Sequence, residues 1–361
     1  MQSNQKPRYD GFCRDKSLLA SDDKPYVIRF KNPTEGVVVI DDLIRGSITI
    51  SNEELDDLII ARSDGTPTYN LTVVVDDWDM AISHVIRGDD HINNTPRQIN
   101  LLKALGAPIP QYAHLPMILG ADGKRLSKRH GAQNVIDFKA QGYLPAALLN
   151  YLVRLGWSHG DQEIFSLAEM EQLFGLAAVN RSPAMFDVEK LDWINQHYLK
   201  TVDVTSLIQP LTEQFSAIGI DVSQHQQPAI ADVIEVQRSR VKTLRELAAH
   251  SVYFYEDNIE YDAKAVKHLS TACVEPLQEI LLRLTALASW DELSLSPVVS
   301  EVAQQFEIKM GKIAQPLRVA LTGGVVSPPI NVTLWLLGRD KAMLRIKNAL
   351  EFIALQNAVD Q

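Results

Sequence analysis

Apolar and polar positions alternate over short stretches in the first part of the chain. Apolar runs at 26–30, 37–40 and 48–50 are separated by polar and turn-forming residues. This spacing predicts a small mixed or antiparallel sheet. Ser51, with two glutamates close behind it, is expected to cap the start of a helix, because acidic residues in a first turn favour the helix dipole.

The next stretch carries apolar runs that end in polar residues. Residues 71–75 and 85–86 have this pattern, which predicts two buried strands. Asn94, followed by Thr-Pro, predicts a helix start, and the apolar face of that helix ends at Gly106. A further apolar run at 115–119 completes a βαβ unit, so we expect a parallel sheet and one half of a doubly wound fold.

Beyond residue 131 the apolar positions are spaced three and four apart. This pattern predicts helices at 145–155, 166–174, 187–199 and 230–247, and the remainder of the chain is also expected to be helical. The predicted fold class is therefore α/β followed by all-α.

Composition narrows the class of protein. The 361 residues allow two or three domains. The net charge of −10 argues against a globally basic nucleic-acid binder, so any RNA-binding face must be local. Two distant cysteines, Cys13 and Cys273, imply no disulfide framework, and no apolar stretch is long enough to span a bilayer. These features are typical of a cytoplasmic, multidomain protein.

Residues 122–131 concentrate positive charge directly after the apolar run 115–119. They read Asp-Gly-Lys-Arg-Leu-Ser-Lys-Arg-His-Gly. A flexible cationic loop at the carboxyl edge of a parallel sheet is suited to binding phosphates. A short basic run is by itself more often a solvated surface, so its meaning depends on its order and its flanks.

The order Arg-Leu-Ser-Lys-Arg-His-Gly resembles the KMSKS signature of class I aminoacyl-tRNA synthetases, in the LSKRHG form typical of bacterial glutamyl-tRNA synthetases. Other segments are similar to that family in the same order, at 6–15, 29–36, 69–106, 142–166 and 315–324. The resemblance implies a glutamate–tRNA ligase that uses ATP and Mg²⁺. Its partners would be L-glutamate and tRNA(Glu), and it would act as a cytoplasmic monomer.

The resemblance also implies four regions. A partial Rossmann-like nucleotide-binding domain with an inserted connective segment would precede a helical stem-contact region and a helical anticodon-binding domain. The expected boundaries are 1–65 for the remainder of the acceptor-end connective insertion, 66–131 for the second half of the Rossmann-like domain, 132–200 for the stem-contact region and 201–361 for the anticodon-binding domain.

Adenylate formation requires positioning and neutralisation of charge on the ATP phosphates rather than a covalent nucleophile. Lys128 in the signature is the first candidate for this catalytic role. Arg125 stands where the family usually has lysine, and it keeps the charge but changes the geometry. Leu126, Ser127 and Arg129 complete the KMSKS-like motif, in which Ser127 and Arg129 are expected to shape the loop.

A second polar cluster, Arg-Gly-Asp-Asp-His, begins at Arg87. A guanidinium can bind a carboxylate of glutamate in bidentate fashion and would disfavour the neutral amide of glutamine. By resemblance, Arg87 and Tyr69 contact the amino acid and Asp90 lies near the ATP ribose. Met117 and Ile118 would pack near the adenine. The alternative is that Arg87 only braces the sheet through an aspartate.

Zinc and RNA contacts complete the set of candidates. Cys13 lies where some family members bind zinc, but one cysteine cannot make a tetrahedral structural site, so we expect none. The candidate RNA contacts are basic residues of the helical half, which would make binding salt-dependent. They are Arg238, Arg240, Lys242 and Arg318, with Arg245, Lys309, Lys312, Lys341, Arg345 and Lys347 as further candidates. Ordinary solvated helix faces are the alternative.

The HIGH-type motif that class I synthetases carry after their first strand has no counterpart in this chain. Roughly the first hundred residues of the family pattern are absent, so the sheet is expected to lack its first βαβ half and the chain to be a fragment with poor activity of its own. The predicted helical second half argues against a glutaminyl-tRNA synthetase, which would end in β-barrels, and against the short paralogue that modifies a tRNA base, which would lack an anticodon-binding half. The alternative that stays open is a non-catalytic tRNA-binding protein, which would bind tRNA without ATP-dependent activity.

Overall fold

The computed structural model describes residues 9–16, 18, 24–126, 134–225 and 227–359. The chain forms two compact units. The first unit comprises Met1–Ala132 and Asn150–Asp187, and the second comprises Gln133–Leu149 and Val188–Gln361.

All strands of the described residues lie in the first unit. They are β1 (Ile28–Arg29), β2 (Val37–Asp42), β3 (Gly46–Ser51), β4 (Ile59–Ala61), β5 (His84–Gly88), β6 (Gln111–Leu115), β7 (Ile118–Leu119) and β8 (Ala184–Met185). The helices are α1 (Tyr69–Asp79), α2 (Thr95–Leu105), α3 (Val135–Ala140), α4 (Pro145–Arg154), α5 (Leu167–Leu173), α6 (Val188–Thr201), α7 (Val204–Ala217), α8 (Ile230–Gln237), α9 (Leu244–Tyr255), α10 (Val274–Ala286), α11 (Glu292–Gln305), α12 (Met310–Thr322), α13 (Ile330–Leu337) and α14 (Arg339–Val359).

The central sheet has the strand order β3-β2-β6-β5. Strands β2 and β3 form an antiparallel hairpin, and β6 runs parallel to both β2 and β5. The connection β5–α2–β6 is the predicted βαβ unit. Helix α2 has Pro96 in its first turn and ends at Gly106, whose φ of 70° is the left-handed conformation that glycine adopts without strain. The predictions of a mixed sheet and of a parallel βαβ unit are confirmed.

The predicted strand at 71–75 is wrong, because these residues lie in helix α1. Of the helix's residues only Val74 is fully buried, and Val75 is 42% exposed. A short apolar run cannot be told from one face of a helix by periodicity alone, and a run of β-branched residues misleads in the direction of a strand. Thr68 precedes the helix, and its backbone oxygen accepts the first bonds from Leu71 and Thr72.

Three element boundaries also differ from the predictions. Ser51 caps only one turn of 3₁₀ helix, Asn52–Glu54. The strand expected at 115–119 is divided into β6 and β7, since Pro116 between them has no N–H to donate to a ladder. The helix expected at 230–247 is two helices, α8 and α9, and Thr243 caps the second by accepting from the backbone of Glu246 at 3.1 Å.

Each unit has its own apolar core. In the first unit, one cluster joins the β2–β3 hairpin to α2 through Ile40, Ile99 and Tyr112, and another gathers around Trp157 and Phe165. The described part of the second unit contains helices and no strand. Its core includes fully buried side chains such as Leu211, Phe215, Leu277, Ile280, Leu317 and Leu334. The fold class of α/β followed by all-α is confirmed, whereas the four-region division stays a prediction.

Candidate active site

Arg87 is the most extensively bonded polar side chain at the end of β5. It lies opposite His114 of β6 in the parallel ladder, and its Nε donates to His114 Nε2 at 3.2 Å. Its Nη2 donates to Thr95 Oγ1 at 2.7 Å and to Gln98 Oε1 at 2.8 Å, both on α2. The backbone oxygen of His91 lies 3.5 Å from the same nitrogen. The neighbouring strand and helix therefore hold one guanidinium through neutral acceptors.

No carboxylate of the described residues forms an ion pair with Arg87, and its Nη1 has no hydrogen-bond partner among them. The side chain is half-buried. Burying a cation without a counter-ion is unfavourable, and a guanidinium matches the geometry of a carboxylate. The alternative in which Arg87 braces the sheet through an aspartate is not what the described residues show. The arrangement is suited to receiving an anion from outside the chain.

Asp42 and His114 form a fully buried pair beneath this arginine. Both side chains are 0% exposed, and His114 Nδ1 lies 2.6 Å from Asp42 Oδ2. The Asp42 carboxylate also accepts from the backbone nitrogens of Ile44 at 3.0 Å, Arg45 at 2.8 Å and His114 at 3.0 Å. Such a carboxylate is strongly held in its ionised form.

Burial and hydrogen bonding change the pKa values of both Asp42 and His114. Burial acts to raise the pKa of Asp42, but the hydrogen bonds from Arg45, His114 and the turn outweigh it and the pKa is lowered. For His114, burial outweighs the attraction of Asp42 and lowers the pKa below its ordinary value of 6.5. His114 is therefore neutral at pH 7. The bonding pattern assigns its proton to Nδ1, because Nε2 must accept from Arg87.

Asp90, Met117 and Arg125 lie together just beyond β5. Arg125 Nη2 is 3.0 Å from Asp90 Oδ2, in an ion pair whose side chains are 63% and 32% exposed. A Cβ atom on Gly88 would meet Asp90 Oδ1 at 2.6 Å and Met117 Sδ at 3.7 Å, so both side chains lie close to the Gly88 backbone. The structure thus brings together three of the residues predicted for ATP from distant parts of the sequence.

The strand β7 leads into the basic segment. Ile118 pairs with Ala184 of β8 in parallel, and the backbone nitrogen of Leu126 donates to the oxygen of Ile118 at 2.8 Å. A tight turn at residues 120–124 reverses the chain. Arg125 and Leu126 therefore lie at the start of the predicted KMSKS-like loop. Ser127, Lys128 and Arg129 lie outside the described residues.

Tyr69 is the first residue of α1 and is half-exposed. Its ring centroid lies 6.0 Å from that of His91, at a tilt of 37°. Gln98, which accepts from Arg87, in turn donates to Asn70 Oδ1 at 3.1 Å. The start of α1 is therefore linked to Arg87 through Gln98. This placement is compatible with the prediction that Tyr69 and Arg87 are neighbours in one site.

Sequence reasoning missed the residues that hold Arg87. Asp42, His114, Thr95 and Gln98 were not singled out, although they form a continuous set of contacts with it. Asp42 and His114 are 72 residues apart. No local signal could have paired them, because the contact depends on β2 and β6 becoming neighbours in the sheet.

In the second unit, the four principal candidates for RNA contacts differ in the partners that their side chains already have. Arg238 donates to the backbone oxygen of Val202 and pairs with Glu235, and Lys242 Nζ lies 3.1 Å from Asp192 Oδ2. Arg240 is exposed and donates to the backbone oxygen of Ser327 at 3.0 Å. Arg318 donates to the Ser327 hydroxyl at 3.0 Å, and burial lowers its pKa. Arg240 and Arg318 thus converge on Ser327, whereas Arg238 and Lys242 each have a carboxylate partner.

Arg345 is wrong as an RNA candidate because it is buried, with 1% of its surface exposed. It donates to the backbone oxygens of Leu321, Tyr253 and Glu256. Burial lowers its pKa to about 10. Arg345 therefore joins helix ends inside the second unit and cannot reach a phosphate at the surface.

The described residues were also compared with the ligand groups that bind metal ions. Across the described residues no three His, Cys, Asp or Glu side chains lie close enough together to hold a metal ion. Cys13 is exposed, and its backbone nitrogen donates to the Tyr9 hydroxyl at 2.7 Å. None of the helices in the described parts of the chain is long and apolar enough to cross a membrane.

Comparison with known proteins defines the class. Residues 1–193 match the catalytic domain of class I tRNA synthetases (E and Q), and residues 203–350 match an anticodon binding domain. A parallel βαβ core that carries a basic segment after its last strand, followed by a helical unit, agrees with both matches. The fold and the site thus define a class I aminoacyl-tRNA synthetase.

Similarity to individual proteins shows which synthetases of this class the chain belongs to. Two glutamate–tRNA ligases from Coxiella burnetii strains are each 60% identical to the chain over 354 residues, covering 98% of this chain and 75% of theirs. A glutamate tRNA ligase from Elizabethkingia meningosepticum, solved in complex with its amino acid, is 29% identical with a TM-score of 0.78, covering 92% of this chain and 69% of that one. The glutamate-tRNA synthetase of Elizabethkingia anophelis gives a TM-score of 0.74 at 29% identity, covering 91% of this chain and 69% of that one. The chain belongs to the glutamate–tRNA ligases, and the resemblance seen in its sequence is confirmed.

Proposed function

We propose that this chain activates L-glutamate with ATP as the aminoacyl adenylate and transfers it to tRNA(Glu). The observation that carries this proposal is the bonding of Arg87, a half-buried guanidinium whose hydrogen-bond acceptors are neutral. Among the described residues no carboxylate forms an ion pair with it and its Nη1 has no hydrogen-bond partner. A substrate carboxylate would supply the missing counter-charge. Glutamine, with a neutral amide in its place, would leave the cation unpaired.

The present bonds of Arg87 restrict how the carboxylate can bind. Both hydrogens of Nη2 are already used by Thr95 and Gln98. A bidentate contact that uses both terminal nitrogens would have to displace one of these acceptors. We therefore assign the primary contact to Nη1, and Tyr69 at the exposed start of α1 is assigned to the same substrate.

For ATP, we assign the roles predicted from the sequence. Lys128 and Arg125 would neutralise charge on the phosphates, with Leu126, Ser127 and Arg129 forming the rest of the loop. Asp90 would bind the ribose, and Met117 and Ile118 would line the adenine. Because Arg125 pairs with Asp90 at 3.0 Å, ATP binding would have to release this exposed ion pair, at a cost of about 1 kcal/mol or less.

The remaining partners follow from the family. Mg²⁺ would be bound through the ATP phosphates, and no described residue is assigned to it. Exposed basic side chains of the second unit, with Arg240 first among them, would contact the tRNA phosphates. We place the protein in the cytoplasm as a monomer.

Two assays test the proposal. Glutamate-dependent ATP–pyrophosphate exchange and charging of bulk bacterial tRNA with labelled glutamate would be measured for the chain and for Arg87→Met. We expect Arg87→Met to lower kcat/KM for glutamate by about a hundredfold or more, since a charged hydrogen bond is lost at a desolvated site. The matched control is Arg97→Met. Arg97 is also half-buried in the first unit, but Asp56 binds it at 2.6 Å, so its loss should leave KM for glutamate within about threefold.

The outcomes separate the alternatives. Equal losses for Arg87→Met and Arg97→Met would show that Arg87 has no special role toward glutamate. Tight tRNA binding by the unsubstituted chain without any glutamate-dependent exchange would contradict the proposed activity of this chain.

A further inference from the structure

Arg87 does not stand alone: two residues that contact no predicted substrate determine how its guanidinium is held. Its Nε donates to His114 Nε2 at 3.2 Å, and His114 Nδ1 lies 2.6 Å from Asp42 Oδ2. The three side chains come from three adjacent strands, β5, β6 and β2. This chain of contacts, which we name the Asp42–His114 relay, runs from the fully buried interior to the half-buried arginine.

We propose that the Asp42–His114 relay positions Arg87 for the glutamate carboxylate, and that His114 must be neutral for the site to bind glutamate. The inference rests on the proposed role of Arg87. Asp42 and His114 are positioning residues in it, because they act on the substrate only through the arginine.

The directions of the two hydrogen bonds made by the imidazole determine the tautomer of His114. Arginine can only donate, so His114 Nε2 must present a lone pair toward Arg87 Nε. The single proton of a neutral imidazole then lies on Nδ1, where Asp42 accepts it. Asp42 is ionised and accepts three backbone N–H groups as well, so its own position is fixed by the turn after β2 and by β6. The tautomer of His114 therefore follows from the fold.

Thr95 and Gln98 also help to hold the guanidinium of Arg87 in one orientation. Thr95 Oγ1 accepts from Arg87 Nη2 and lies 3.1 Å from His114 Nε2, so the hydroxyl hydrogen can also point to that lone pair. Gln98 Oε1 takes the second Nη2 hydrogen, and its amide nitrogen is tied to Asn70. With Nε and Nη2 occupied by fixed acceptors, Nη1 is the nitrogen left for a ligand.

Protonation of His114 would reverse this arrangement. A proton on Nε2 would face the N–H of Arg87, and a second positive charge would lie about 3.2 Å from the guanidinium in a buried site. Burial already lowers the pKa of His114 below 6.5, so the relay is intact at neutral pH and is lost only as the pH falls through that lowered pKa. Glutamate affinity should fall in the same acidic range.

Other titratable groups surround the imidazole, and the test must separate them. They are Asp42 from β2, Arg87 from β5, Asp89 from the 3₁₀ turn after β5, and Tyr112 on the same strand as His114. Asp77 of α1 acts electrostatically on Arg87 and Tyr112. Burial raises the pKa of Tyr112 to about 12, and that of Asp42 is lowered, so neither changes charge between about pH 5 and pH 8. Burial raises the pKa of Asp77 above its ordinary value of 3.8, so Asp77 and the ligand itself are the groups that a control must exclude.

Two substitutions at His114 distinguish positioning from packing. His114→Gln places an amide oxygen near the position of Nε2, which can accept from Arg87 and does not titrate. His114→Asn places its amide near Nδ1, which keeps a donor for Asp42 and removes the acceptor for Arg87. Binding of L-glutamate to the 361-residue chain would be measured by titration calorimetry from about pH 5 to about pH 8.

We expect His114→Asn to weaken glutamate binding by about tenfold or more at neutral pH, and His114→Gln to stay within about threefold of the unsubstituted chain. The acid-side loss of affinity should be present in the unsubstituted chain and shallower in His114→Gln. Equal losses in the two variants, or an unchanged acid limb in His114→Gln, would overturn the proposal and assign the acid-side loss to Asp77 or to glutamate.

A measurement without ligand keeps the relay testable if both variants fold poorly. In the ¹⁵N-histidine spectrum of the unsubstituted chain, the His114 signal should show a protonated Nδ1 and an unprotonated Nε2 at neutral pH. A charged ring or the opposite tautomer would refute the relay. If the tautomer is as expected but Arg87→Met binds glutamate normally, the proposed function of Arg87 fails while the geometry of the relay stands.

Discussion

Asp42→Asn is the change that most directly tests the buried polar group of the first unit. The substitution keeps the shape and size of the side chain and replaces one carboxylate oxygen with an NH₂ group. Asp42 accepts four hydrogen bonds, from the backbone nitrogens of Ile44, Arg45 and His114 and from His114 Nδ1. Every partner is a donor, so an NH₂ group has no favourable orientation at this site.

The expected loss of stability follows from these bonds. If Oδ1 becomes NH₂, the backbone N–H groups of Ile44 and Arg45 lose their acceptor. If Oδ2 becomes NH₂, His114 Nδ1–H loses its acceptor, whereas the backbone N–H of His114 keeps Oδ1 at 3.2 Å. An unpaired buried donor costs about 1–3 kcal/mol, and one or two donors are left unpaired, so the unfolding free energy of the first unit should fall by about 2–4 kcal/mol. A whole domain is stable by only about 5–15 kcal/mol, so this loss is large.

The assay must report on the first unit alone, because a chain with two compact units need not unfold in one step. Hydrogen exchange measured by mass spectrometry on peptides from β2 and β6 gives the local opening free energy. The measurement belongs at neutral pH. The pKa of Asp42 is lowered from 3.8, so its contribution is complete above that value and is lost only as the pH falls below it.

Asp41→Asn is the matched control. Asp41 precedes Asp42 on β2 and is exposed, because successive side chains of a strand point to opposite faces. The same chemical change there should alter stability by no more than about 0.5 kcal/mol. A loss below about 1 kcal/mol for Asp42→Asn, or equal losses at the two positions, would refute the reasoning.

Two further predictions concern the second unit, and both are checked by hydrogen exchange of peptides from α9, which gives the local opening free energy. Gly142→Ala should cost about 3 kcal/mol or more, since a Cβ there would lie 2.3 Å from a backbone nitrogen at the start of α9, whereas Gly219→Ala, at a similar positive φ in open space, should cost about 1 kcal/mol. Similar losses would refute the close approach at Gly142. Arg345→Met should cost about 3 kcal/mol, because three buried backbone oxygens lose their donor, and exposed Lys347→Met should cost less than about 0.5 kcal/mol. A neutral Arg345→Met would contradict its structural role.

Elements that carry local signals at both ends could be predicted from the sequence. Helix α2 could be predicted from Asn94-Thr-Pro at its start and Gly106 at its end, and it has those bounds to within a residue. The helical second half could be predicted from one-faced apolar spacing. The family could be recognised from several segments in one order, and the similarity to known glutamate–tRNA ligases confirms it.

The helical conformation of α1 and the surroundings of Arg87 depend on contacts between distant parts of the chain. The β-branched run 71–75 favours a strand by local preference, but packing of one face makes it a helix. Arg87 was identified from its own segment. Its lack of a carboxylate partner among the described residues and its support by His114 and Asp42 depend on three strands that meet only in the folded sheet. Local sequence patterns indicate the conformational preference of a segment. A buried hydrogen bond between residues 72 apart forms only when folding brings those residues together.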